Sequence, residues 1–504
     1  MNLRKVFASS LSLFAFGLVA CSGKSSQPCT VNCGGGGTAT LSVVLTAAPL
    51  APPPNTNLLS FLVDINTITL TPATGTAVNI PLNATALGVD LTKLQSDSVF
   101  LGMSATVPAG TYSSITVSMS NPVVTFCTQT QGNPGCAPTS LASISGGAAA
   151  TPKITTAPFP LTLSAAQKTG LAINLNLANT LTVSATQPQV VTAVNLAAAN
   201  VLSASTLPSA ASSLPSGPLD FIEDVTGVIT AVNTTAQSVT VHTATRGSLT
   251  ALANSSTVFS PNCTAFNLSL SFSSCIAQGQ VASLDLLLNS DGTFTLLEYD
   301  PLDTTTKDWV EGIITSTPSS TTQFQIVTND LVLSTSNSLI GSNLPLASPV
   351  NISLVTSPQP FVVDSKGLVI PTNAFSGRSD TSALAPGQTV AARITAFTAA
   401  SGSTLATAST DFLYLRFTRV TGTLASVAPP NTFTMQSFPP FFALTTPITV
   451  QLSTGSPNTN FDGVSGSSNL TVGQTVSINA LYFGPPTGLT STLTPFSAAK
   501  VRVP

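Results

Sequence analysis

Side chains able to do chemistry are scarce in this chain. Of 504 residues only 7% are charged, and there is a single histidine, His242. One histidine excludes the His-Glu-x-x-His zinc hydrolase pattern and every multi-histidine metal site. It still allows a Ser-His-Asp relay. However, the chain has no Gly-x-Ser-x-Gly elbow to host the serine, and Thr240-Val241-His242-Thr243 alternates as a strand does. His242 is therefore expected to be a polar surface residue.

Paired carboxylates are the other route to catalysis, because glycoside hydrolysis needs two facing across a cleft. Ten of the 18 acids lie between Asp220 and Glu311, with all three glutamates, Glu223, Glu298 and Glu311, among them. Asn289-Ser290-Asp291-Gly292 with Glu298 matches positions 3, 5, 6 and 12 of a calcium loop. Position 1 would be Leu287, which cannot coordinate a cation. An Asp-Gly turn between two alternating strands is expected hairpin chemistry, so Asp291 and Glu298 are calcium candidates only by default. Asp300, Asp303, Asp308 and Glu311 read as a solvated connector between repeats. No catalytic residue, metal or cofactor is expected.

Seven cysteines complete the reactive set. Cys21 stands apart, and the other six fall into local pairs: Cys29/Cys33, Cys127/Cys136 and Cys263/Cys275. Six cysteines allow fifteen connectivities, so local pairing is a preference and not a deduction. Closing a loop of about ten residues contributes on the order of 3 kcal/mol.

Cys21 ends the first apolar segment. Arg4 and Lys5 precede an uncharged run over residues 6–20, a signal-peptide layout. Leu18-Val19-Ala20-Cys21 resembles the bacterial lipoprotein lipobox. That resemblance implies that residues 1–20 are removed and that Cys21 is lipidated, tethering the chain to a membrane. Ser22 at the next position points to the outer membrane, facing either the periplasm or the cell surface. Residues 21–37 end in four glycines and form a flexible tether. Without Arg4 and Lys5, 13 basic face 18 acidic side chains. With no basic stripe, nucleic acid is not a partner. The expected partner is the membrane, through the anchor, with an envelope protein or a glycan as a further one.

The remaining chain is too long for one core, so several domains are expected. Residues 38–202 alternate apolar and polar residues as half-buried strands do, for example Phe61-Leu62-Val63-Asp64-Ile65. The strand ending Thr46-Ala47-Ala48-Pro49, the Val89-Asp90-Leu91 step and the Pro108-Ala109-Gly110-Thr111-Tyr112 turn resemble a bacterial lipoprotein family, domain of unknown function 4382. The family's usual aspartate is replaced here by Ala47. The resemblance implies an immunoglobulin-like or transthyretin-like β-sandwich with no established activity. Residues 203–219 are Ala, Ser and Pro rich, as a linker is.

An internal repeat follows. Val225-Thr226-Gly227, Val310-Glu311-Gly312 and Val420-Thr421-Gly422 open three units. Each later carries a Gly-Gln step into a strand: Gly279-Gln280, Gly387-Gln388 and Gly473-Gln474. The spacings are 52, 75 and 51 residues, so the middle unit carries an insertion of about 23, placed within residues 328–376. Glycine where short strands bend suits a small closed barrel, and the pattern resembles domain of unknown function 5666. The expected fold is all-β: an N-terminal β-sandwich, then three small β-barrel repeats over residues 220–303, 304–418 and 419–504. Trp309 is expected buried where the second unit opens, and Phe438-Pro439-Pro440-Phe441-Phe442 packed between units. The expected role is a non-catalytic structural or binding one at the cell envelope. Its rivals are an array of carbohydrate-binding modules and a carboxylate hydrolase. An integral membrane barrel is disfavoured, since one Trp and four Tyr cannot form aromatic girdles.

Overall fold

The computed structural model describes residues 37–503, except 51–56, 85–86, 129–134, 186–189, 208–217, 266–267, 305–306, 317, 372, 443–446, 456 and 485–494. Cys21, Cys29 and Cys33, with the expected signal peptide, lie outside the described residues. Nearly every described element is a strand, and the α-helices are single turns such as Leu177–Thr180. Among the described residues no helix is long and apolar enough to cross a membrane.

Two sheets build the first part. One runs in the order Leu202–Leu207, Lys168–Asn176, Thr38–Ala48, Val99–Pro108, with Thr38–Ala48 parallel to Lys168–Asn176. The other is centred on the long antiparallel pair Asn57–Pro72 and Gly110–Cys127. Alternation decides which face each sheet buries. Leu41, Val43 and Leu45 share a core with Phe61, Val63 and Ile65 of the second sheet. Val44 points the other way, and with Phe100 and Ala172 joins a second core containing Leu219 and Ile222. The first sheet is thus covered on both faces, where the sequence reading expects half-buried strands. That is why even Ser42 is fully buried.

Beyond residue 218 the strand pairings close into three circuits of the same order. In the first, Pro218–Asn233 pairs with Ser238–Thr243, and that with Gly247–Leu252. Gly247–Leu252 meets Phe294–Asp303 in parallel, and Val281–Asn289 leads back to Pro218–Asn233. The second circuit runs Trp309–Ile314, Gln323–Val332, Pro349–Leu354, the first half of Ala406–Ala428, Thr389–Thr398 and back. The third uses the second half of Ala406–Ala428, then Thr432–Gln436, Ile448–Leu452, Phe496–Arg502 and Thr475–Tyr482. One unbroken strand therefore crosses the boundary expected at residues 418/419, and the two units share it.

The repeat motifs have a physical reason. A Cβ on the opening glycine would lie 2.2 Å from His242 O at Gly227, 2.4 Å from Val327 O at Gly312 and 2.8 Å from Gln436 O at Gly422. A carbonyl of the paired neighbouring strand stands against the opening strand there, and only glycine leaves room. The second glycine has φ of 88°, 92° and 84° at Gly279, Gly387 and Gly473, a left-handed turn that favours glycine. The glutamine after it pins the turn by accepting a backbone N–H three residues earlier: Ala277 at 2.7 Å, Ala385 at 2.7 Å and Thr471 at 3.1 Å.

The interval 328–376, where the extra length of the middle unit is expected, is divided by a strand. The strand Pro349–Leu354, which every unit has in some form, lies inside that interval. The short strand Val362–Val363 follows it, parallel to Tyr414 and Leu415, as Val258–Phe259 and Asn460–Asp462 follow the third strand of the other two units. Its placement sets up the site below.

Candidate functional site

Between the first part and the three circuits the chain buries most of its charge. The acids expected on a solvated connector are inside: Asp300 and Asp308 are 1% exposed, Asp303 0% and Glu311 6%. This corrects the sequence reading, and the reason is that each finds a partner. Asp308 accepts backbone N–H bonds from Ser334, Leu339 and Ile340, and a hydroxyl from Ser338, folding that loop around itself. Asp303 accepts the Trp309 indole N–H at 3.2 Å and pairs with Arg393. Trp309 is buried as expected, against Phe412 and Tyr414.

Arg416 is the hub. Its apolar flanks, Leu413-Tyr414-Leu415-Arg416-Phe417, put it mid-strand with both faces covered. Its Nε donates to Glu311 at 3.2 Å, and one terminal nitrogen donates to Asp364. The other donates to Thr226 at 2.9 Å and Ser283 at 3.0 Å in the first circuit. Asp364 is there because Val362–Val363 pairs beside Leu415, and Lys366 follows on the same extension. Lys366 bridges Asp224, at 2.7 Å, and Asp285.

Local backbone irregularity delivers the acids. The register slips between Ile222 and Val225, and Asp224 takes a φ of 55°. Such a bulge re-aims side chains, and here it leaves both Glu223 and Asp224 buried. Asp224 meets Arg419 of the third circuit at 2.5 Å, and Asn479 donates to Glu223. From the first part, Lys93 reaches Glu311 at 2.8 Å and Asp330 at 3.5 Å, and Arg246 reaches Asp330 at 3.1 Å. Lys500 lies 3.8 Å from Asp97, and Arg502 donates to the Asp97 and Leu94 carbonyls. The first part and each of the three circuits are tied to another by at least one buried ion pair.

The carboxyls divide by environment. Burial pushes Glu311 up, but Lys93, Arg416 and Arg419 outweigh it and bring it down to about 2. Asp224 is likewise held well below the carboxylate range, by Lys366, Arg419 and Arg416 against burial. Burial carries Glu223 to about 8, with Lys500 opposing and Asp285 and Asp97 adding. Burial also holds Glu298 and Asp300 well above the usual range, helped respectively by Asp285 and by Asp364. Glu223 is therefore neutral below about pH 8.

The sign of the pH dependence follows. A carboxyl raised from 4.5 to about 8 contributes stability that is complete at acid pH and lost as pH rises through 8. Glu311 and Asp224 contribute above the ordinary carboxylate range and lose it as pH falls toward 2. Thermal melts should therefore show a midpoint that falls as pH rises from 4.5 to about 8. Glu223→Gln should make that limb shallower, with Glu298 and Asp300 still contributing, and leave the acid limb in place; a limb of unchanged slope would refute the assignment.

Other expected site residues are plainly placed. Cys127 is bonded to Cys136, and Cys263 to Cys275. The first disulfide holds a loop whose Gly135 N–H donates to Phe441 O at 2.9 Å and whose Cys136 N–H donates to Thr315 O. Phe441 and Phe442 are buried there, and the Cys127–Cys136 bridge lies in the same core. Asp291 is exposed in a hairpin turn, its carboxylate taken by the Thr293 N–H and hydroxyl. Glu298 is buried opposite Asp285 in the sheet, so the two calcium candidates do not form one site. Among the described residues no group of three or more His, Cys, Asp or Glu stands where it could hold a metal ion. His242 is on a strand, 3.0 Å from Ser248.

Beside the network lies a cavity of about 100 Å³ between the first part and the second and third circuits. Lys93 and Arg419 line it, with Thr421, Asn329, Leu58 and Phe442 among the other lining side chains. Sequence reasoning missed the basic half of this site. The available signal was each cation's apolar neighbourhood, as in Ala498-Ala499-Lys500-Val501.

A family described as a domain of unknown function, DUF4382, matches residues 38–193. No curated protein and no solved structure matches the chain.

Proposed function

We propose that this is an exported, lipid-anchored protein of the cell envelope with a binding or structural role and no catalysis. In this reading a β-sandwich is followed by three small closed barrels, and Cys21 holds the assembly to the outer membrane. The observation that carries it is the buried ionic junction. Burying many charges is costly, and their pairing repays that cost only with good geometry. What such a junction provides is a fixed arrangement of the units, which suits a body that presents one rigid surface from a tether. The carboxylates gathered here are engaged by Arg416, Lys366, Lys93 and Arg419 within the protein. That is the reason to prefer a binding role over a carboxylate hydrolase.

Fractionation tests the anchor. Full-length protein should follow the outer-membrane fraction, and Cys21→Ser should move it to the soluble fraction. A Cys21→Ser protein that stays membrane-bound after signal removal overturns the reading.

A further inference from the structure

The cavity beside the junction has a lining that selects for chemistry. Both of its charged residues are cations, and among the described residues that line it there is no Asp or Glu. The acids that pair with Lys93 and Arg419, namely Glu311, Asp330, Asp224 and Asp97, are not part of the lining. Both cations are held more than nine-tenths buried, with side-chain exposures of 8% and 7%.

Neither cation is saturated. An ammonium has three donors, and Lys93 spends its own on Glu311 and Asp330 alone among the described residues. Arg419 donates through its terminal nitrogens to Phe417 O and Asp224, while its Nε has no partner among the described residues. A buried polar atom left unmatched costs about 1–3 kcal/mol, so such a concentration beside one cavity points to a missing group. The rest of the lining mixes apolar side chains, among them Leu58, Leu59, Ile313, Phe441 and Phe442, with neutral polar ones such as Thr92, Gln95 and Thr421.

We propose that this cavity is a binding site for a short-chain carboxylate, whose anionic head is taken by Lys93 and Arg419 and whose alkyl part packs against Leu58, Ile313 and Phe442. Charge alone would favour any small anion, and the apolar wall alone any small hydrocarbon. The combination selects a molecule that carries both. Size narrows the class: roughly 150 Å³ holds a benzene of six non-hydrogen atoms, so about 100 Å³ suits about four to five. Propionate, with five, is of that size, and butyrate is one atom larger. The lining comes from the first part (Leu58, Lys93), the second circuit (Ile313, Asn329) and the third (Arg419, Thr421), so the bound acid would also bridge the units. This inference rests on the reading of the chain as a binding body.

The test is calorimetric titration and thermal melting of the full chain in detergent with sodium propionate and sodium butyrate. Propan-1-ol, propylammonium chloride and sodium sulfate serve as comparisons. Saturable one-to-one binding of the carboxylates is expected, with a melting midpoint that climbs with ligand concentration. The alcohol, the amine and sulfate should each bind at least about tenfold more weakly, since a charge-assisted hydrogen bond is worth that much. Lys93→Gln should remove the preference for acid over alcohol. Leu58→Trp fills the apolar wall without touching an ion pair, and should weaken butyrate at least about tenfold. Should Lys93→Gln fail to fold, the ligand comparison and Leu58→Trp decide. The proposal is overturned if no carboxylate binds, if sulfate binds as well as butyrate, or if Leu58→Trp leaves binding unchanged. Cys21→Ser fractionation is independent of all these outcomes, so failure here leaves the anchor reading standing, and the reverse.

Discussion

Arg416→Met should destabilise the protein by about 3–5 kcal/mol, the largest loss expected from any single charge removed. Methionine keeps most of the volume, so the effect isolates charge from cavity formation. It leaves Glu311, Asp364 and Asp224 buried around a vanished cation, and strips the Thr226 and Ser283 hydroxyls of a donor. The comparison is Lys307→Gln. Lys307 pairs with Asp411 at 3.5 Å but is 40% exposed, so its loss should cost less than about 1 kcal/mol. Urea denaturation of both variants measures the contrast. Equal, small effects would mean that water reaches the junction and screens it.

Gly227→Val should cost about 3 kcal/mol by forcing apart two strands that must pair in contact. Its Cβ would fall 2.2 Å from His242 O, a backbone atom that cannot rotate away. Gly312→Val should behave alike, since Val327 O stands at 2.4 Å in the equivalent place. Gly455 has nothing within 4 Å of an added Cβ, and Gly455→Ala should change stability by no more than about 0.5 kcal/mol. Near-equal melting of the Gly227 and Gly455 variants would remove the steric explanation of the repeat.

These two expectations mark what could and could not be read from residues alone. The repeat was legible because its glycines and glutamines are local devices. A close strand contact or a left-handed turn fixes the residue type at one position, whatever the distant chain does. The all-β character was legible for a similar reason, through the period-two alternation of stretches such as Phe61-Leu62-Val63-Asp64-Ile65. The junction was not legible, because its pairs are remote. Lys93 and Glu311 are 218 residues apart, and Arg419 and Asp224 are 195 apart. The bulge that turns Glu223 and Asp224 inward leaves no mark in the pattern around them. An acidic run such as Asp300, Asp303 and Asp308 resembles a wet connector until its partners are known. The covered second face of Thr38–Ala48 was hidden likewise, since one strand's alternation does not reveal what packs on its polar side.

The middle unit shows how these levels join. Its longer spacing was visible, but Asp364 and Lys366 reach the hub from the end of the short strand Val362–Val363, whose equivalents stand in the other two units.

Whether the junction makes one body of the units is decided by differential scanning calorimetry of the full chain at pH 6. A single transition is expected, with calorimetric and van't Hoff enthalpies in agreement, and Arg416→Met should lower its midpoint or split it. Two or more separate transitions in the unaltered protein would contradict the claim that the buried ions hold the cores together.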